Sequence, residues 1–244
     1  MAKVVCIVQA RMGSSRLPGK VLKDLMGKPM LAHLVDRLKM SKTIDEVVIA
    51  TTTKDSDQPI IHLAEKCQVQ WFAGAEDDVL SRYLGAAQQY SADIIIRVTS
   101  DCPLIDPGTL DQVVEYYLQA GVDYVSNTME RTFPRGLDVE VFSYESLKRV
   151  SELATDISSR EHVTLYMYRH PELFTLANVV AQPPFDRPDL RICVDTEEDF
   201  VLMREIYEVL YRPGGIIDIG EVMSLFAIKP ELAKINAHIE QKKV

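Results

Sequence analysis

Hydrophobic and polar positions along this chain alternate between a strand-like and a helix-like period. Lys3 to Val8 is a short, β-branched apolar run that breaks into the polar stretch Gln9 to Lys20, which predicts a buried strand feeding a long loop. After Pro29, the residues Leu31, Leu34, Val35 and Leu38 fall on one helical face. The alternation repeats, with strands predicted at Val47 to Thr51, Val69 to Phe72, Ile94 to Val98 and Tyr124 to Ser126. Helices are predicted near Gln58 to Cys67, from Asp77 to Tyr90 and from Pro107 to Ala120.

Beyond Asn127 the regularity loosens. Strands are expected at Leu137 to Phe142, Phe174 to Ala181 and Leu190 to Val194, and helices at Tyr144 to Leu153, Ser159 to Arg169 and Glu197 to Leu210. One or two helices and a charged tail are expected after Ile219. Strands alternating with helices predict an α/β fold with a mostly parallel central sheet and helices on both faces. The expectation is one domain over residues 1–244, with a less regular elaboration over about 127–185.

Composition agrees with a globular chain. The 244 residues are 47% hydrophobic and 26% charged, enough for a sizeable core. Val4 to Val8 is far shorter than the roughly 18 apolar residues that suggest a membrane span, so neither a signal peptide nor an anchor is expected. Cys6, Cys67, Cys102 and Cys193 stand singly, which disfavours a disulfide framework or a zinc site and points to a reducing, cytoplasmic setting. The net charge of -9 argues against a nucleic-acid partner. Yet residues 1–40 hold Lys3, Arg11, Arg16, Lys20, Lys23, Lys28, Arg37 and Lys39 against only Asp24 and Asp36. A basic mouth on an acidic body suits a small anionic ligand.

Ala10 to Lys20 follows the first strand, the usual phosphate cradle of an open parallel sheet. Gly13 and Gly19 permit close backbone approach and positive φ, Ser14 and Ser15 offer hydroxyls, and Arg11, Arg16 and Lys20 supply cations. The loop is neither G-x-x-x-x-G-K-[ST] nor G-x-G-x-x-G, so generic NTPase and dehydrogenase readings lose ground. A solvated surface loop is the alternative.

Two acids follow apolar runs. Asp101 comes after Ile94 to Val98, and Asp195 ends Leu190 to Val194. Strand-end carboxylates of this kind hold a hard cation such as Mg²⁺ together with substrate phosphates. Read alone, Asp101 is equally a turn former and Asp195 or Thr196 a cap for the Glu197 helix. Asp138 and Glu140, two apart on an expected strand, face one side and suit sugar hydroxyls, or else join Arg160-Glu161-His162 in a salt-bridge set.

Val8-Gln9-Ala10-Arg11 followed by Ser15-Arg16-Leu17-Pro18-Gly19-Lys20 resembles the signature of the sugar cytidylyltransferases. That family includes the 3-deoxy-manno-octulosonate and acylneuraminate enzymes and, closer, the spore coat polysaccharide biosynthesis protein F branch. Asp101 with the Pro-apolar pair after it, and the run Asp195-Thr196-Glu197-Glu198-Asp199, match the family's two acidic positions, while Gly136 to Glu140 and Arg160 to Thr164 are similar to runs of the spore coat branch.

The resemblance implies a nucleotide-diphospho-sugar transferase-like, Rossmann-like three-layer sandwich. It implies transfer of CMP from CTP, or another nucleoside triphosphate, to a sugar acid in polysaccharide biosynthesis, with Mg²⁺ on Asp101 and Asp195. Arg11, Lys20 and Asp101 would then be catalytic. Ala10, Gly13, Ser14, Ser15, Arg16, Thr99 and Ser100 would join Arg11 and Lys20 at the nucleotide. Arg82, similar to the branch, would reach phosphate or pair with Asp101. Asp138, Glu140 and Arg160 are the acceptor candidates, and a homodimer is implied. At Thr99-Ser100 the octulosonate enzymes carry Gln-Gly, which leaves the base open. Two rivals remain: a glycosyltransferase taking a nucleotide sugar, which a strand-end D-x-D would favour and Asp101-Cys102-Pro103 does not supply, and a non-catalytic nucleotide-binding subunit.

Overall fold

A computed structural model describes residues 2–241; Met1 and residues 242–244, the end of the expected charged tail, lie outside them. The strands are β1 (Val4–Gln9), β2 (Asp24–Leu25), β3 (Lys28–Pro29), β4 (Glu46–Thr52), β5 (Gln70–Gly74), β6 (Ile94–Thr99), β7 (Tyr124–Ser126), β8 (Glu140–Ser143) and β9 (Leu176–Asn178). The α-helices are α1 (Met30–Leu38), α2 (Gln58–Lys66), α3 (Val79–Gln89), α4 (Pro107–Ala120), α5 (Tyr144–Leu153), α6 (Ile157–Glu161), α7 (Leu165–Arg169), α8 (Glu197–Leu210) and α9 (Ile219–Ile228).

Seven strands form one sheet in the order β5-β4-β1-β6-β8-β7-β9, with β2 and β3 a separate hairpin. The pairs β5–β4, β4–β1, β1–β6 and β7–β9 are parallel, and only β8 runs against its neighbours. Alternation along β1 explains the layers. Val4, Cys6 and Val8 enter a core shared with α1, α2, α4, α8 and α9, whereas Val5 and Ile7 enter the opposite core with α3 and α5. Both faces of the central strands are therefore buried, which is why they read as unbroken apolar runs. No described helix is long and apolar enough to cross a membrane.

Local capping sets the helix starts. The side chains of Asp78, Asp106 and Ser143 accept from backbone N–H groups opening α3, α4 and α5, and Thr196 forms a capping box with Asp199 on α8.

The expected elements hold through Ser126; beyond it α5 and α8 keep their expected bounds and the other elements change. The strand expected from Leu137 starts only at Glu140, because the side chain of the buried Asn127 donates to the Leu137 carbonyl and accepts from Val139 N–H, satisfying that backbone outside the ladder. The strand expected over Phe174 to Ala181 shortens to β9. The helix expected over Ser159 to Arg169 breaks into α6 and α7 around Val163, whose φ is 48° while its side chain is fully buried. Burying that valine offsets the cost of a β-branched residue in left-handed space. Leu190 to Val194 is no sheet strand. Its apolar residues reach the core, but its backbone bonds go to Arg135 (Ile192 N–H to the Arg135 carbonyl, 2.7 Å) and to the Asp101 carbonyl (Val194 N–H, 2.8 Å). This segment crosses between Arg135 and Asp101, just past the carboxyl end of β6. Gly136 permits the crossing, since its φ is 109° and a Cβ there would lie 2.7 Å from the Ile192 backbone.

Candidate active site

Past the carboxyl ends of β1 and β6 lies a cleft of about 270 Å³. The loop after β1 forms one wall. Asp57, buried and bonded to the Thr52 hydroxyl, accepts from Met12 N–H at 2.7 Å, and the Met12 carbonyl accepts from Ser14 N–H and Gly19 N–H. Gly19 sits at φ 68°, as a tight return requires, whereas Gly13 is not among the positive-φ residues. Ala10, Arg11, Ser14, Ser15, Arg16 and Lys20 line the cleft. Gly13 is not among the lining residues.

Opposite the loop stand Thr99, Ser100, Asp101 and Asp195. The two aspartates, 94 positions apart in the chain, meet at one ammonium. Lys20 Nζ donates to Asp195 Oδ1 at 2.8 Å, to the Val194 carbonyl at 2.8 Å and to Asp101 Oδ2 at 3.3 Å. Asp101 is also held by the Thr99 hydroxyl at 2.5 Å. Asp195 further accepts from Arg16 at 2.9 Å and from Arg191 at 2.8 Å. Thr196, not Asp195, caps α8, which leaves the Asp195 carboxylate to the cleft.

Arg191 is itself fixed by Asp199, through Nε at 2.8 Å and Nη2 at 3.0 Å, and Asn236 donates at 2.8 Å to Asp199 Oδ1, the oxygen that also accepts from Nε. Burial would raise the Asp195 carboxyl, but the Lys20 ammonium, with Arg16 and Arg191, holds it well below the usual carboxylate range. Burial would likewise lower Lys20, and the two aspartates reverse that and push it up. A cation already held by two carboxylates and a carbonyl shows a donor set of hard oxygens, the kind that suits Mg²⁺ completed by substrate phosphates. Among the described residues no cluster of three His, Cys, Asp or Glu side chains is placed to hold a metal alone.

Arg82 departs from expectation. It lines the cleft, but it is buried on α3, donates to the Ala75 and Glu76 carbonyls and does not pair with Asp101; its Nε has no partner. Arg160 lies apart from the cleft. Its guanidinium is taken by Asp78, with Nε at 2.8 Å, and by the Ala154 carbonyl at 3.2 Å, tying α6 to α3.

A second cavity, of about 580 Å³, adjoins the first, and Thr99 and His162 line both. Asp138 and Glu140 face it together, though only Glu140 lies in β8. Both are already engaged. Asp138 accepts a bidentate pair from Arg131 at 2.7 and 3.0 Å, and Glu140 pairs with Arg97 and accepts from Tyr124 and Thr164 hydroxyls. The salt bridges thus exist, with partners other than Arg160. Arg97, Arg131, Arg135 and Gln241 line this cavity and were not singled out in the sequence. Arg97 carried a signal, as a charge inside the apolar run of β6. His162, which reads as structural on an expected helix, stands at the end of α6 and lines both cavities.

Comparison with known proteins agrees with this geometry. The family model described as Cytidylyltransferase matches residues 5–213. The spore coat polysaccharide biosynthesis protein SpsF of Bacillus subtilis is 34% identical over 239 residues, covering 96% of this chain and 98% of that protein. The 3-deoxy-manno-octulosonate cytidylyltransferase of Geobacter metallireducens is 26% identical over 206 residues, covering 74% and 80%. The solved structure of a cytidylyltransferase from Leptospira borgpetersenii superposes with a TM-score of 0.90 at 30% identity and covers 100% of both chains. A loop of cations facing two convergent carboxylates, on a fold shared along the whole chain, has one reading: this chain belongs to the cytidylyltransferase family.

Proposed function

We propose that the chain transfers CMP from CTP to a sugar acid, releasing pyrophosphate, in the synthesis of a surface or spore-coat polysaccharide. The observation that carries this reading is the meeting of Lys20, Arg16, Asp101 and Asp195 in one cleft that opens onto a second, sugar-sized cavity. The spore coat relative and the octulosonate enzyme support the pathway and the acceptor class.

In this reading Ala10 to Lys20 wraps the triphosphate, with Ser14, Ser15, Arg11 and Arg16 meeting its charge and Thr99 and Ser100 beside the base. Lys20 turns from the two carboxylates to the phosphates as the nucleotide enters. Asp101 and Asp195 would hold Mg²⁺, which would neutralise phosphate charge when bound. An acceptor hydroxyl held in the second cavity forms a bond to the α-phosphorus and gives up its proton to solvent, while the bond from the α-phosphorus to the oxygen bridging it to the β-phosphate breaks, with pyrophosphate keeping the electron pair. The protein contributes positioning and charge, and no covalent nucleophile is needed. Leu173 and Val180, exposed apolar side chains in the 127–185 elaboration, support a homodimer built on that segment. Four free cysteines support a reducing, cytoplasmic setting.

The test is a matrix of the four nucleoside triphosphates against candidate sugars, with released pyrophosphate as readout. CTP with a sugar acid is expected to give release that EDTA and Asp195→Asn both abolish. Full turnover by the Asp195→Asn variant sinks the metal assignment, and free nucleoside diphosphate from a nucleotide sugar favours a glycosyltransferase.

A further inference from the structure

The cavity beside the nucleotide cleft holds three guanidinium groups and two carboxylates among its lining residues. Two of the three are spoken for, Arg97 by Glu140 and Arg131 by Asp138. Arg135 differs. Its backbone is pinned on both sides, with N–H donated to the Leu190 carbonyl at 3.0 Å and its carbonyl accepting from Ile192 at 2.7 Å. Its guanidinium, half-buried in the cavity wall, has no hydrogen bond or ion pair among the described residues. Burial and the neighbouring Arg131 push that guanidinium below its ordinary value, since both disfavour the charge. An anchored arginine with an unanswered charge is a receptor for an anion.

The charge count sets the kind of anion. With Arg97 and Arg131 neutralised, the five charged groups leave a single positive charge. One carboxylate balances it; a phosphate monoester brings close to two charges and finds no second free cation there among the described residues. The position also fits, because a recess of about 290 Å³ joins Arg135 and Asp138 to Arg16, Asp101 and Asp195. A molecule held at Arg135 therefore lies next to the carboxylates proposed for the metal.

We infer that Arg135 receives the carboxylate of the acceptor and so makes the enzyme select sugar acids over neutral sugars and sugar phosphates. This rests on the reading that the acceptor occupies the second cavity.

Binding of N-acetylneuraminate and of 3-deoxy-manno-octulosonate to the full chain, with CTP present, is measured by calorimetry beside their methyl esters and N-acetylglucosamine 1-phosphate. One of the acids is expected to bind best. Arg135→Met is expected to weaken it about 10- to 100-fold, the range of a hydrogen-bonded charge pair. Arg135→Lys should fall between, since it keeps the charge and loses the fork. CTP affinity and the unfolding midpoint should stay as in the wild type, which separates lost recognition from lost structure. Equal binding of acid and ester, stronger binding of the sugar phosphate, binding of neither acid to the wild type, or an unchanged acid affinity in both variants overturns the assignment. The two readings fail separately: pyrophosphate release driven by an acid with an unaltered KM in Arg135→Met refutes the role of Arg135 alone, whereas CTP that yields no pyrophosphate with any acid refutes the transfer reaction.

Discussion

Replacing Arg191 by Met removes the guanidinium that braces the site and keeps most of its apolar stem. The lost bonds are two to Asp199, one to Asp195 and one to Gln241. Asp195 retains Lys20 and Arg16. Asp199 does not share that reserve: its side chain is 0% exposed, and it would keep only N–H donors from Asp195, Thr196 and Asn236. Breaking a buried pair on one side costs about 3–5 kcal/mol, mostly through the orphaned charge. For a chain of this size, at about 2–4 °C per kcal/mol, Tm should fall by roughly 6–20 °C.

The sign with pH follows from Asp199. Burial raises its carboxyl, but hydrogen bonding from Arg191 and its other donors wins and lowers it in the folded state. That stabilisation is present above the unfolded value of about 3.9 and lost as pH falls, so the deficit of Arg191→Met should narrow towards pH 3. Urea unfolding of the wild type, Arg191→Met, Asp199→Asn and Arg191→Met/Asp199→Asn at pH 7 and pH 3 provides the measurement. The double variant should recover at least half the loss, because the amide still accepts from the backbone and the orphaned charge is gone. A single-variant loss under about 1 kcal/mol, or a double variant as unstable as the two losses added, refutes the reasoning.

Three further outcomes are expected. Lys20→Met removes the cation held between Asp101 and Asp195, so Mn²⁺ should bind the nucleotide-free protein about 10-fold more tightly than the wild type by electron paramagnetic resonance titration, through lost competition; equal or weaker binding counts against a metal site there. Asp78→Asn keeps a competent helix cap and removes the charge facing Arg160. Burial opposes and the Arg160 hydrogen bonds outweigh it to lower Asp78, so the variant should lose up to about 1 kcal/mol at pH 7 and converge with the wild type near pH 3, with nucleotide affinity unchanged throughout. Gly136→Ala places a Cβ 2.7 Å from the Ile192 backbone at φ 109° and should cost more than about 1 kcal/mol, and also weaken the site by displacing Asp195; a fully stable variant contradicts the crossing described for that segment.

The fold was legible wherever one period ran unbroken between clear caps. Pro107–Ala120, Tyr124–Ser126, Tyr144–Leu153 and Glu197–Leu210 have the same bounds in sequence and structure. The cleft wall was legible too, because a loop of glycines, serines and cations after a first strand is a local pattern. Leu190 to Val194 misled because apolarity marks burial and does not say where backbone hydrogen bonds go. Arg160 misled similarly, since a charged helix residue carries no record of which carboxylate it will meet. Arg131 and Arg135 sat in an irregular segment with no period to read.

By itself, then, the sequence determined the layered α/β sheet, the basic loop from Ala10 to Lys20 and the presence of two acids after apolar runs, all set by interactions within a few residues. Only the tertiary structure decided that Asp101 and Asp195 share the Lys20 ammonium, that His162 lines both cavities, and that Arg135, alone of the three cavity arginines, lacks a counter-charge among the described residues. Each of these depends on contacts between residues far apart in the chain, where distance and burial in the folded molecule choose the partner.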